Sequence, residues 1–321
     1  MKIEYIISID KKTRRATNTK SFLKSIEVSE GIVVDCDKKK MNFNNKDFSY
    51  SIQEKSNDKS VFYHLTIESP EVEPFDLDND IVKAFEKLAT QIECAVRDCH
   101  GFYEVVWNDI NFKCSQLAYP KIYEIENLFR KLISKFMLFN VGQGWENSFV
   151  PNDISKNMDS DKAKSRDGGL MYKLDFNQIN TFLFGEKSEE ADLKKLWDLK
   201  GKDNIQFSDI EKYLPQRNWE RFFKSEIDID DKELEKQWKE LYELRCKIAH
   251  NNIFTPDDLK RVDKLINQIK PAIETSIINM SGCNSLEKVN FDSEDYQVYY
   301  YMKKLKEIYS DCLNCLNYYK G

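Results

Sequence analysis

The chain has 321 residues, 41% of them hydrophobic and 13% aromatic, enough for a packed core and, at roughly 150 residues per domain, for about two domains. That composition excludes a chain that is disordered over most of its length. With 49 basic against 55 acidic side chains the net charge is −6, so no global positive field marks a nucleic-acid binder, and any such binding must be local.

No apolar run reaches the roughly 18 to 20 residues of a membrane helix; the most hydrophobic stretch, Leu132 to Val141, is short and carries Lys135. Met1 to Tyr5 alternates apolar and polar residues and has no signal-peptide h-region. The expectation is a soluble, cytoplasmic protein with no membrane partner. Eight irregularly spaced cysteines then read as reduced thiols rather than a disulfide framework. Cys312-Leu313-Asn314-Cys315 is a lone CxxC, and His64, His100 and His250 all lie far from it. A zinc site needs two more ligands at comparable spacing, so no metal and no cofactor is expected. Cys94, Cys99 and His100 invite the same metal reading, but 94 to 99 falls in a helical pattern whose apolar face suits cysteine.

In chain order, Ile3, Tyr5, Ile7 and Ile9 alternate with polar residues, the period-2 pattern of a half-buried strand. Further strands are expected at Gly31 to Cys36, at Met41 to Ile52 with a turn at Asn44-Asn45-Lys46-Asp47, and at Val61 to Ile67. The basic runs Lys11 to Arg15 and Lys38 to Lys40 fall in turns, either as solvated loops or as local phosphate-contacting patches. Asp80 to Cys99 switches to helical spacing, and Phe102 to Trp107 returns to strand composition. Residues 1–115 thus read as an α+β domain, a small antiparallel sheet plus a helix.

Residues 116–321 read as all-α. Pro120 is expected in the first turn of a helix with a stripe through Ile122, Ile125, Leu128, Phe129, Leu132, Ile133, Phe136 and Met137, ending near Gly142. Residues 151–169 contain almost no large apolar side chain and read as an exposed mobile loop. Shorter helical patterns follow near 175–184, 191–199, 208–213 and 217–224, then long ones near 231–251, 256–279 and 293–319. There is no internal repeat and no glycine-rich phosphate loop.

One segment carries chemistry. In Leu234 to Phe254, Leu234, Trp238, Leu241 and Ile248 fall within roughly 80° on a helical wheel, with Arg245 in the middle of that stripe. A guanidinium stays charged, so at a buried or interfacial position it must meet an anion, either a protein carboxylate or a phosphate. His250 follows five residues later, about 140° away on a continuous helix. Asn251 and Asn252 tolerate the left-handed conformation, and Thr255-Pro256-Asp257-Asp258 reads as the capped start of the next helix. The first helix is therefore expected to end near His250, where the helix dipole favours positive charge. That histidine is either a simple helix cap or a catalytic group.

The run Arg245-Cys246-Lys247-Ile248-Ala249-His250, followed by Asn251, resembles the defining motif of the HEPN superfamily, an Arg separated by four to six residues from a His between two long helices of an all-α bundle. Many HEPN ribonucleases carry a polar residue, commonly Asn, directly after the Arg, where this chain has Cys246. The resemblance implies a HEPN-like bundle over residues 116–321 and a metal-independent endoribonuclease acting as a toxin or antiviral defence effector. It implies a homodimer whose two motifs form one composite site on an RNA substrate. His250 would be the general acid or base, Arg245 would hold the phosphate, and Asn251 and Tyr242 would bind substrate. Glu126 and Arg130, at i and i+4 on the first long helix, either line the same cleft or form a surface ion pair. The sheet domain would regulate the activity or recognise a trigger partner. The competing readings are a non-catalytic HEPN module that binds RNA or nucleotide or mediates assembly, and a plain helical protein with Arg245 neutralised by a carboxylate.

Overall fold

Period-2 burial organises the first part of the chain. The computed structural model describes residues 1–151, 154, 169–187 and 216–282. In it, Ile3, Tyr5, Ile7 and Ile9 all point into the core from strand β1 (Lys2–Asp10). Five more strands complete an antiparallel sheet: β2 (Ile32–Asp35), β3 (Lys40–Phe43), β4 (Lys46–Ser56), β5 (Ser60–Glu68) and β6 (Phe102–Asn108). The order across the sheet is β2-β3-β4-β5-β1-β6. Asn44 and Asn45, with φ of 51° and 60°, form the two-residue turn between β3 and β4, the left-handed pair that matches the strand twist.

Helix α2 (Asp80–Asp98) covers the inner face with Val82, Phe85, Leu88, Ile92 and Val96. A second helix, α1 (Thr19–Glu27), is absent from the sequence reading. It buries Phe22, Leu23 and Ile26, and Phe22 stacks on Tyr63 at 4.5 Å. Its start is fixed by a reciprocal cap between Asn18 and Ser21. The basic run Lys11 to Arg15 opens with a single 3-10 turn, Lys11–Thr13, whose start is capped by Asp10. In the other run Lys38 pairs with Asp35 at 3.4 Å and Lys40 with Asp47 at 3.3 Å.

The remaining elements are mainly helical: α3 (Asp109–Phe136), α4 (Trp145–Phe149), α5 (Gly169–Lys173), α6 (Phe176–Phe184), α7 (Asp231–Ala249) and α8 (Pro256–Gly282). Two-residue strands β7 (Glu186–Lys187) and β8 (Gln216–Arg217) pair with each other, and π-helical turns occupy Met137–Val141 and Trp219–Phe223. Pro120 does not open a helix; it lies inside α3. The apolar stripe begins earlier than expected, at Ile110, Cys114 and Ala118, all buried, and that continuity offsets the roughly 3 kcal/mol that an interior proline costs. Gly169 begins α5, and Pro151 and Ile154 are buried, while the rest of the expected loop, 152–153 and 155–168, lies outside the described residues. The patterns near 191–199, 208–213 and 293–319, and the Cys312/Cys315 pair, lie outside the described residues.

The chain divides into two compact units, residues 1–120 with 247–261, and residues 121–246 with 262–321. The first holds the six-stranded sheet. The second has an aromatic core in which Phe129 meets Trp238 at 4.2 Å and Phe176 stacks on Trp238 at 4.0 Å. Among the described residues, no helix is long and apolar enough to cross a membrane.

Candidate active site at the end of a long helix

Helix α7 is positioned by its buried face, Leu234, Gln237, Trp238, Leu241 and Leu244. Gln237 is satisfied there by Glu233 and Gln268. This face is rotated from the expected one. Ile248 is only half-buried, and Arg245 is half-exposed rather than set in the core. The helical wheel gives the angle of a side chain but not the point at which the core ends, and the last turn of α7 runs past it.

Tyr242 stands beside Arg245 for a reason that starts in the core. Trp238 donates its indole N–H to the Phe176 carbonyl at 3.1 Å and stacks on the Phe176 ring. Phe176 in turn stacks on Tyr242 at 6.0 Å, so a ladder of three rings leads outward along α7. The Tyr242 hydroxyl shares a hydrogen bond with Cys246, one turn on. That bond, then partial burial and the Asp175 carboxylate, raise the hydroxyl's pKa, while the Arg245 guanidinium pulls it down. Asp175 itself caps α6, accepting from the Gln178 N–H at 2.7 Å. Among the described residues, Arg245 has no ion pair and no hydrogen bond, so the carboxylate partner left open by the sequence is not found there. Asp175, Phe176 and Cys246 are additions to the expected site. Only Cys246, at i+4 from Tyr242, had a signal in helical spacing.

The end of α7 closes as a Schellman turn. The Asn252 N–H donates to the Lys247 carbonyl at 2.8 Å, and the Asn251 N–H donates to the Ile248 carbonyl at 3.2 Å. Asn251 takes the left-handed residue, φ 53°, so the reversal falls one position after His250. His250 and Asn251 are both exposed. The expected capping box follows: Thr255 Oγ1 accepts from the Asp258 N–H at 3.2 Å, and Asp258 accepts from the Thr255 N–H at 2.9 Å. Lys247 Nζ donates to Asp258 at 2.8 Å, tying the end of α7 to the start of α8.

Because α7 stays helical through Ala249, Arg245 and His250 still diverge by about 140° within one chain. Glu126 and Arg130 do not join them. They form a largely buried ion pair, with side chains 16% and 15% exposed, and Arg130 also donates to the Met171 carbonyl. The expected surface pair is therefore corrected: α5 packs over it. Arg130 lines a cleft of about 320 Å³ with Lys131, Ser134, Trp145 and Tyr172, and neither Arg245 nor Tyr242 belongs to that lining.

Among the described residues, no group of three or more His, Cys, Asp or Glu is arranged to hold a metal ion. No family model matches the chain, and no curated protein or solved structure matches it.

Proposed function

We propose that this protein is a metal-independent endoribonuclease of the HEPN type, built on a HEPN-like helical bundle and acting as a homodimer in toxin-like or antiviral defence. The observation that carries this reading is an arginine that has no anionic partner among the described residues, held beside a tyrosine, five residues before an exposed histidine at a doubly capped helix end. Such an arginine is available to a phosphate. His250 acts as general acid or base while an RNA 2′-hydroxyl attacks its own phosphorus. Arg245 holds the phosphate and offsets the charge developing in the transition state. Asn251 and Tyr242 add neutral hydrogen bonds to phosphate or sugar.

The roughly 140° divergence of Arg245 and His250 is resolved when two copies face each other and each completes the other's site. Glu126 and Arg130, engaged with each other, play no part. A non-catalytic HEPN module is the second reading, and it is favoured by Cys246, whose thiol is engaged by Tyr242 where a free polar side chain is common in the family.

The test is RNA cleavage by purified protein in EDTA, run beside Arg245→Ala and His250→Ala. Cleavage should survive chelation and leave 2′,3′-cyclic phosphate and 5′-hydroxyl ends, and both substitutions should abolish it. Activity that needs Mg²⁺ or Mn²⁺, or that leaves 3′-hydroxyl ends, refutes the mechanism. Binding without cleavage supports the second reading.

A further inference from the structure

The outer face of the six-stranded sheet carries a pattern that the reaction does not use. In register across four strands stand Lys55, Phe62, Ser8 and Phe102, on β4, β5, β1 and β6. Neighbouring strands lie about 4.8 Å apart, so the two phenylalanines flank the small Ser8 at a separation of about 10 Å. Phe102 is 64% exposed and Phe62 half-buried, and among the described residues neither ring packs on another. The next row toward the other end of β1 holds Gln53, His64, Ile6 and Glu104, with hydrogen-bonding groups beside an apolar one. Beyond it, Trp107 stands opposite Glu4, whose carboxylate is paired with Lys2.

Charge is concentrated at the end of the sheet nearest the phenylalanine row. The turn after β1 brings Lys11, Lys12, Arg14 and Arg15, and the hairpin between β4 and β5 brings Lys59 beside Lys55. The two segments are joined, because the Lys11 N–H donates to the Lys59 carbonyl at 2.9 Å. Lys11 Nζ and Arg15 donate to the carbonyls of Asn57 and Asp98, not to carboxylates. Among the described residues, none of these six cations has an ion pair. The acids nearby are Asp10, Glu54, Asp58 and Asp98, so the six cations outnumber the four carboxylates at this end of the sheet. A local positive field therefore exists on a chain whose net charge is −6.

We propose that this face binds single-stranded RNA, with bases stacked on Phe62 and Phe102 and the backbone running toward the Lys11–Arg15 turn. One exposed and one half-exposed ring, spaced for two splayed bases beside cations unpaired among the described residues, suit an unpaired strand, whereas a duplex hides its base faces. The choice of RNA over DNA rests on the reaction proposed above, while the platform rests on the rings and the charge.

The experiment titrates the full-length His250→Ala chain, which does not consume its ligand, into a fluorescein-labelled, mixed-sequence 12-nucleotide single-stranded RNA and follows anisotropy. Removing both rings (Phe62→Leu with Phe102→Leu) should weaken binding at least tenfold, while Phe62→Tyr with Phe102→Tyr should restore it, since the ring and not bulk is required. Lys55→Glu with Lys59→Glu should weaken binding and flatten its salt dependence. Circular dichroism of each variant establishes that the fold is retained. Leucine variants that fold and bind like the parent overturn the platform, as does equal affinity for a duplex of the same length. Competition by polyglutamate as strong as that by RNA shows a generic polyanion or acidic-protein contact and also overturns it. The two proposals fail separately: ring-dependent binding without cleavage by the wild type refutes the ribonuclease alone, and cleavage with ring-independent binding refutes the platform alone.

Discussion

Asp258 joins the two long helices on either side of His250, and its removal makes a quantitative test of that junction. The carboxylate accepts from the Thr255 N–H at 2.9 Å, from Thr255 Oγ1 at 3.1 Å and from Lys247 Nζ at 2.8 Å. Loss of a helix-capping group costs about 1 kcal/mol. The Lys247 pair is discounted for solvent screening, since that lysine is 44% exposed, and adds about 0.5 kcal/mol. Asp258→Ala should therefore destabilise the protein by about 1.5 kcal/mol, which lowers Tm by about 3 to 6 °C for a unit of this size. Asp258→Asn keeps an acceptor for the Thr255 N–H and should lose about half as much. Burial of Asp258 favours its neutral form, but the hydrogen bonds from Lys247 and Thr255 prevail and hold the carboxyl below its ordinary value. A pKa lowered by folding means that the carboxylate's contribution is full above the ordinary value of about 4 and is lost as pH falls through the lower folded one. Thermal unfolding followed by circular dichroism from pH 7 down to pH 3 checks this. The gap between wild type and Asp258→Asn should narrow on acidification; an unchanged gap, or none at pH 7, refutes the account.

Arg245→Ala and His250→Ala should shift stability by no more than about 0.5 kcal/mol, because neither side chain is buried or paired among the described residues, while cleavage falls by about 100-fold or more; a large drop in Tm would assign Arg245 a structural role. Mixing wild type with excess His250→Ala chains should depress activity below proportion to the wild-type chains present, since mixed dimers lose composite sites; strictly proportional activity means that each protomer works alone. With site mapping by mass spectrometry, iodoacetamide at pH 8 should modify exposed Cys36 well before Cys114, whose thiol is pushed up to about 12 by burial and by Glu86 and Asp258; comparable rates contradict that burial.

The parts of the fold that could be read from sequence are those in which one segment carries its own complete signal. Ile3 to Ile9 bury one face at period 2, so strand and orientation follow together, and Asn44-Asn45 states its own turn. Helix α1 escaped because nine residues bury only Phe22, Leu23 and Ile26, and its start rests on a cap between Asn18 and Ser21 just after a basic run that reads as loop. Pro120 misled for the opposite reason: a strong local signal for a helix start was outweighed by burial of Ile110, Cys114 and Ala118 before it.

The candidate site divides along the same line. The turn after His250 was legible because Asn251-Asn252 and Thr255 to Asp258 are local devices, each satisfying backbone groups within a few residues of itself. The environment of Arg245 was not, since it is set by α6, far away in sequence: Phe176 holds Tyr242, Tyr242 engages Cys246, and among the described residues no carboxylate pairs with the guanidinium. An arginine on an apolar stripe has the same sequence signature whether a core carboxylate neutralises it or it stands open to a phosphate. Only the packing around it separates the two, and here Arg245 is half-exposed and unpaired among the described residues, with an exposed histidine at the turn five residues on.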